Sequence, residues 1–232
     1  MSDIVVTQDL TKSYGIRPVL QQMNLRIPAG RIVGLLGPNG CGKTTFMKIL
    51  AGLTSDYTGA VYIDGQAPGV YTKSIVSYLP EKTYLKDWMR VRDVMALFAD
   101  FYADFDWNKA AELLERFQLP GDMKLKYMSK GMQEKVQLIL VMCRNAKLYI
   151  LDEPLSGVDP AARSVILDTI IRSYNPGSTV LLSTHLIYDV ERILDDIIMM
   201  GYGQIVMAGE ADAIRQQNGR SIDQLFREVF RC

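Results

Sequence analysis

Gly37-Pro38-Asn39-Gly40-Cys41-Gly42-Lys43-Thr44 follows a β-rich apolar run, Arg31 to Leu36, and leads into Lys43 to Ala51, which reads as a helix closed by Gly52. The octapeptide matches G-x-x-x-x-G-K-[ST] in the strand–loop–helix setting that the motif needs. Its glycines let backbone N–H groups converge on phosphate oxygens without a Cβ in the way, and the helix behind adds its positive N-terminal end. Gly37, Asn39, Gly40, Cys41 and Gly42 thus form the cradle of a candidate nucleotide site. Lys43 is placed to reach the β- and γ-phosphates, Thr44 to ligate Mg²⁺, and Thr45 to hold an α-phosphate oxygen. The motif specifies a nucleotide and leaves the reaction open.

Two later strands end in reactive side chains. Leu148-Tyr149-Ile150-Leu151-Asp152-Glu153 closes an apolar run with two carboxylates, a placement that exposes them at the carboxyl edge of a sheet, where α/β proteins bind ligands. Asp152 would hold Mg²⁺ through water, and Glu153 would polarise an attacking water, a role worth roughly 10²–10⁴ in rate. Pro154 prevents simple continuation of the strand. Val180-Leu181-Leu182-Ser183-Thr184 delivers His185, the one histidine of the chain, to the end of another buried strand. By itself a lone imidazole is a weak clue.

The remaining chain supplies the frame. Leu25-Arg26-Ile27 and Val61-Tyr62-Ile63 read as short strands bounded by turns, which makes the N-terminal third strand-rich. The middle changes character. Val94, Leu97, Phe98 and Phe101 form the stripe of an amphipathic helix. Ala110, Leu113, Leu114 and Phe117 repeat it after an Asp106 N-cap, and a third helix follows Ser129 to about Cys143. Residues from about 86 to 145 therefore read as a helical insert between two parts of a sheet domain, about 1–85 and 146–232. Beyond it, Leu148–Leu151, Ala161–Tyr174, Thr179–Leu182 and Ile187–Leu194 alternate strand and helix, the order of βαβ units on a parallel sheet. Ser221 to Arg231 is a last amphipathic helix, with a Ser221–Gln224 capping box and an apolar face that either packs on the domain or docks a partner.

Composition narrows the function classes. The 26 Lys+Arg and 26 Asp+Glu residues cancel, so no overall basic field favours nucleic acid. Cys41, Cys143 and Cys232 have neither paired nor metal-type spacing, which suggests a reducing compartment. No signal peptide is evident, and apolar runs such as Leu138 to Cys143 are far short of a membrane span. A cytoplasmic chain is expected, with any membrane association made through a partner.

Five motifs occur in one order: the glycine-rich loop, Tyr127-Met128-Ser129-Lys130-Gly131-Met132-Gln133, Leu151-Asp152-Glu153-Pro154, Ser156-Gly157-Val158-Asp159 and Ser183-Thr184-His185. Over about residues 3 to 210 the chain resembles the nucleotide-binding subunit of an ATP-binding cassette (ABC) transporter. The resemblance implies an α/β fold with a P-loop NTPase (RecA-like) core, an N-terminal antiparallel β subdomain and a helical insert subdomain. It implies an ATPase using ATP and Mg²⁺, with two copies sandwiching two nucleotides head to tail. Tyr14 matches the aromatic on which adenine stacks, and Ser129 and Gly131 match signature residues that touch the γ-phosphate bound by the opposite subunit. Asp159 matches the residue that communicates between the two sites, and His185 the switch histidine that holds γ-phosphate and water while Glu153 serves as base.

Departures from the family pattern bear on mechanism. The signature LSGGQ reads Met128-Ser129-Lys130-Gly131-Met132, and Lys130 adds a cation near a polyphosphate. The usual glutamine after Tyr78-Leu79-Pro80 is Glu81, which keeps an oxygen ligand for Mg²⁺ and adds a charge. Cys41 sits where a small side chain suffices and raises the question of a redox switch. Lys130-Gly131-Met132 and Tyr78-Leu79-Pro80-Glu81 are similar to sequences of the exporter-like ABC-2 branch. That likeness implies a separate transmembrane permease subunit that holds this chain peripherally on the inner face of the cell membrane, with Tyr84, Leu85, Trp88 and Met89 either lining the groove for its coupling helix or buried in the insert. A complete set of motifs in one chain makes a homodimer the expectation and leaves a heterodimer open. The rival reading is a soluble, non-transport ABC ATPase acting as an assembly or repair partner, and no coiled-coil insertion, zinc motif or second cassette supports its repair or translation versions.

Overall fold

The computed structural model describes residues 2–230, the side chain of Ala161 excepted, so Arg231 and Cys232 lie outside the described residues. Strands β1 (Asp3–Tyr14) and β2 (Arg17–Pro28) form a hairpin. Then β3 (Ile32–Leu36) runs through the glycine-rich loop into α1 (Lys43–Leu50). β4 (Thr58–Ile63), α2 (Val70–Ile75) and β5 (Val76–Leu79) follow. Three helices come next, α3 (Val91–Phe101), α4 (Trp107–Arg116) and α5 (Lys130–Met142). The chain continues through β6 (Leu148–Asp152), α6 (Pro160–Ser173), β7 (Thr179–Thr184) and the single turn α7 (Ile187–Val190). It ends with the hairpin β8 (Asp196–Gly201) and β9 (Gln204–Glu210) and helices α8 (Ala211–Asn218) and α9 (Ile222–Phe230).

Two sheets result. The N-terminal one is antiparallel in the order β2-β1-β4, and the larger runs β5-β6-β7-β3-β8-β9, parallel except for β9. Strands β3, β6 and β7 are buried at every position, as expected of central parallel strands covered on both faces. Each fully buried Leu or Ile among them contributes about 1.5–3 kcal/mol. Register aligns the strand ends. Leu36 pairs with Thr184, Asp152 with Ser183 and Leu79 with Leu151, so four connections leave one carboxyl edge together.

Helix boundaries follow their caps. Asp106 accepts hydrogen bonds from the Asn108 and Lys109 amides, and Ser129 accepts one from Met132, which fixes the starts of α4 and α5 where the sequence placed them. Ser221 and Gln224 exchange hydrogen bonds at 3.1 Å as a capping box, and Ile222, Leu225 and Phe226 are buried. Arg144 joins the helical stretch to the sheet. Its buried guanidinium bonds both oxygens of Asp104 and the carbonyls of Ser74 and Val76, and lies 3.7 Å from the Tyr102 ring.

Two expectations need correction. The buried arc of α3 is Val91, Val94 and Met95 with Phe98 behind them, whereas Leu97 is 42% and Phe101 76% exposed. Residues 91, 94, 95 and 98 carry the same spacing as 94, 97, 98 and 101, so periodicity could not choose between two overlapping stripes. The helix expected from Ile187 to Leu194 stops at Val190. Leu194 packs directly over Gly34 and turns the chain back into β8 instead.

Candidate functional site

The glycine-rich loop is shaped from beneath. A Cβ at residue 37 would lie 2.5 Å from the Met200 carbonyl and 2.6 Å from Cys41 Sγ. Gly42 has φ 110°, and a Cβ there would lie 2.8 Å from the Val19 carbonyl. The turn between β8 and β9 closes on the loop from the other side, where Gly203 N–H donates to the Cys41 carbonyl at 3.2 Å. The Gly37 Cα and the Cys41 thiol thus pack beneath the loop. Burial pushes the Cys41 thiol above its ordinary value despite the opposing charge of Lys43, which keeps it protonated and disfavours the redox switch considered from sequence.

Above the loop lies a cavity of about 360 Å³. Asn39, Gly40, Gly42, Lys43, Thr44 and Thr45 form its floor, and Glu81, Glu153 and His185 its far wall. Ser156, the first residue of the Ser156–Asp159 motif, also lines it, as does Val19, which nothing in the sequence singles out. The Lys43 ammonium, 6% exposed, donates to the Gly37 carbonyl at 2.7 Å and the Pro38 carbonyl at 3.3 Å, and stands 3.7 Å from Glu153 Oε1. Glu153 Oε2 pairs with His185 Nδ1 at 2.9 Å. Three charged or titratable groups from α1 and the ends of β6 and β7 therefore meet over the loop.

Glu153 reaches this position by an unusual backbone, φ 50°, a left-handed conformation that costs an L-residue about 1–2 kcal/mol. Its N–H donates to Ser183 Oγ at 2.9 Å, and the same hydroxyl donates to Asp152 Oδ1 at 2.7 Å. Asp152 is fully buried, and its Oδ2 has no hydrogen-bond partner. It faces a side cleft of about 20 Å³ shared with Glu81 and Glu153, room for a single water. Tyr78 lies behind it, and burial, then the charge of Asp152, raises its phenol well above the ordinary value.

These groups fit a hard divalent cation. Asp152 Oδ2 and Glu153 Oε1 are buried carboxylate oxygens without hydrogen-bond partners, and Glu81 borders the same space. Among the described residues no group of three His, Cys, Asp or Glu side chains forms a cage. That suits a cation such as Mg²⁺, which keeps waters and binds through one or two carboxylates plus substrate phosphates.

The other sequence-assigned residues stand outside the main cavity. Ser129 caps α5, and a Cβ at Gly131 would meet nothing within 4 Å, so this helix start presents an open face. Lys130 Nζ lies 3.7 Å from Glu134 Oε1 beside Gly157, along a second cavity of about 370 Å³ that shares Glu81 and Ser156 with the first. Burial raises the Glu134 carboxyl above its ordinary value, against the pull of Lys130. Asp159 caps α6 by accepting from Ala162 N–H at 3.0 Å. Tyr14 is half-exposed at the β1–β2 hairpin, with Lys12 Nζ 4.7 Å from its ring centroid.

Elsewhere, Tyr84, Leu97, Phe98 and Phe101 line an apolar groove of about 590 Å³ between the α3 face and β5. Of the four residues considered for such a groove, Tyr84 lines it, Leu85 and Met89 pack against the core, and Trp88 is 69% exposed.

The ABC transporter family profile matches residues 20–156. The ABC transporter ATP-binding protein MJ1023 of Methanocaldococcus jannaschii is 33% identical over 224 residues, covering 92% of this chain and 80% of its own length. The lantibiotic transport ATP-binding protein SrtF of Streptococcus pyogenes is 30% identical and 94% covered on both sides. A solved ATP-binding subunit of an ABC transporter superposes with a TM-score of 0.87 at 29% identity, over 98% of this chain and 99% of that one. A phosphate cradle facing paired carboxylates on a P-loop NTPase sheet, in a chain so matched along most of its length, belongs to the ABC transporter family: this is an ATP-binding, ATP-hydrolysing subunit.

Proposed function

We propose that two copies of this chain close head to tail on two ATP molecules and drive transport, in the export direction, through a separate transmembrane permease subunit. The observation that carries the hydrolytic part is the meeting of Lys43, Glu153 and His185 over the glycine-rich loop. Lys43 exchanges the Gly37 and Pro38 carbonyls for β- and γ-phosphate oxygens, a swap of neutral acceptors for charged ones that strengthens each bond. Glu153 polarises the attacking water. Thr44, Glu81 and, through a water, Asp152 would hold Mg²⁺, which when bound neutralises charge on the phosphates.

The ring chemistry of His185 divides its roles. With Nδ1–H given to Glu153, a neutral imidazole offers Nε2 only as an acceptor, suited to the attacking water. Donation to the γ-phosphate requires the imidazolium, or release of Nδ1 from Glu153 as the site fills. Catalysis is then positioning plus electrostatic stabilisation.

Ser129 and Gly131, on the open start of α5, would meet the γ-phosphate bound by the second copy, Asp159 would relay between the sites, and Tyr14 would stack on adenine. The apolar groove beside α3 supports docking of a helix from the permease, and the lantibiotic transport role named for SrtF supports a role in transport. No helix among the described residues is long and apolar enough to cross a membrane, and in this reading the permease holds the chain on the inner face of the cell membrane. In this reading the helical stretch from about 86 to 145 is the signature subdomain of the cassette.

The test is ATP turnover and light scattering on purified wild-type and E153Q protein. An ATP-dependent dimer that persists in E153Q supports the reading, and a monomer under all nucleotide conditions rejects it.

A further inference from the structure

We propose that Ser183 is a positioning residue for ATP hydrolysis, one hydroxyl that sets both acidic side chains at the end of β6. Ser183 is fully buried, and β6–β7 pairing puts it directly opposite Asp152. Its O–H donates to Asp152 Oδ1 at 2.7 Å, and its oxygen accepts the Glu153 N–H at 2.9 Å. The first bond fixes the rotation of the Asp152 carboxylate, so that Oδ2 is the oxygen left without a partner beside the water-sized cleft. The second holds the Glu153 amide at the point where the backbone turns left-handed, φ 50°. That turn carries the Glu153 carboxylate to His185 and Lys43.

Removing the hydroxyl leaves a buried acceptor and a buried donor unpaired together and removes the constraint on a strained residue. Glu153 would then relax toward the extended backbone, and its carboxylate would leave His185. The Ser183 hydroxyl is spent on Glu153 and Asp152 and not on the glycine-rich loop, so the loss falls on turnover and not on nucleotide affinity. The proposal rests on the reading of Glu153 as the residue that polarises water.

The experiment uses the full chain as wild type, S183A, S183T and E153Q, followed by steady-state kinetics, ATP binding and NMR of the His185 ring protons, which have no other histidine to overlap them. S183A should lower kcat by roughly 10–100-fold, the usual cost of losing such an outer partner, with ATP affinity close to wild type. Its His185 resonances should move toward those of E153Q. S183T, which keeps the hydroxyl and suits a strand, should recover both. If S183A does not fold, S183C replaces it, being nearly isosteric with only a weak donor. A wild-type kcat in the variant lacking the hydroxyl, unmoved His185 resonances, or a Thr variant no better than Ala overturns the proposal. Full turnover by E153Q instead overturns the assignment of Glu153, a separate outcome.

Discussion

His185 Nδ1 stands 2.9 Å from Glu153 Oε2, which ties the end of β7 to the end of β6 across the nucleotide cavity. The contact makes the two side chains one device, and substitutions at either end should separate binding from turnover in different proportions.

Replacing Glu153 by Gln keeps the shape and removes the charge. Turnover should fall by about 10²–10⁴, the range for loss of a general base, while ATP binding survives and the closed dimer lasts longer. Single-turnover kinetics with radiolabelled ATP measure the first effect and light scattering the second.

His185→Ala should reduce hydrolysis far more than nucleotide affinity. The imidazole is 43% exposed at the rim, whereas Lys43, Thr44 and Thr45, the groups proposed to hold phosphate, line the floor and stay untouched. Equal losses in kcat and ATP affinity, measured by turnover and equilibrium binding, would contradict this division.

Glu81→Gln should keep measurable ATPase activity. Glu81 lines the cavity and the side cleft, and Gln retains an oxygen ligand. Total loss of activity would mean that the carboxylate charge itself is needed.

Asp64 gives a test of stability remote from the site. Its carboxylate accepts hydrogen bonds from Lys147 Nζ at 2.7 Å and from the Tyr71 hydroxyl, which hold it below its ordinary value of 3.8. A depressed folded-state value stabilises the protein fully above 3.8, and the contribution vanishes as pH falls through the folded value. Asp64→Asn, which tolerates the left-handed φ of 51° as well as Asp, should therefore lower Tm at pH 7, with the gap closing in acid. For a partly exposed pair the effect is below about 1 kcal/mol. Thermal melts across the acid range measure it.

Much of the site could be read from sequence because its groups fall at strand ends marked by apolar runs. Leu148–Leu151 announced Asp152 and Glu153, and Val180–Leu182 announced His185. Capping residues Asp106, Ser129 and Ser221 fixed helix starts for the same reason: one side chain satisfies amides only a few residues away. What stayed hidden depends on pairing between distant segments. The bond from Ser183 to Asp152 needs the β6–β7 register, and Val19 enters the cavity only because the β1–β2 hairpin folds over the loop. Strand β9 escaped notice because its first positions alternate exposed and half-exposed, without the continuous apolar run of a central strand. On α3, burial of Met95 and exposure of Phe101 follow from which side faces α5, a choice that spacing along the helix does not contain.

The loop around Gly37–Thr44 is clasped between the Val19 carbonyl and the Gly203 amide, with Gly203 so close to Val19 that a Cβ would lie 2.4 Å from its carbonyl. Such a socket is preorganised: its backbone entropy is already spent in folding, so a polyphosphate meets amides that need not be gathered. Nucleotide docking on the floor of the cavity should therefore register in calorimetry as an exchange of polar contacts with little change in heat capacity, since little apolar surface leaves water there. The large heat-capacity change would belong to whatever later covers the apolar groove beside α3, so the two events of the cycle carry separable thermal signatures.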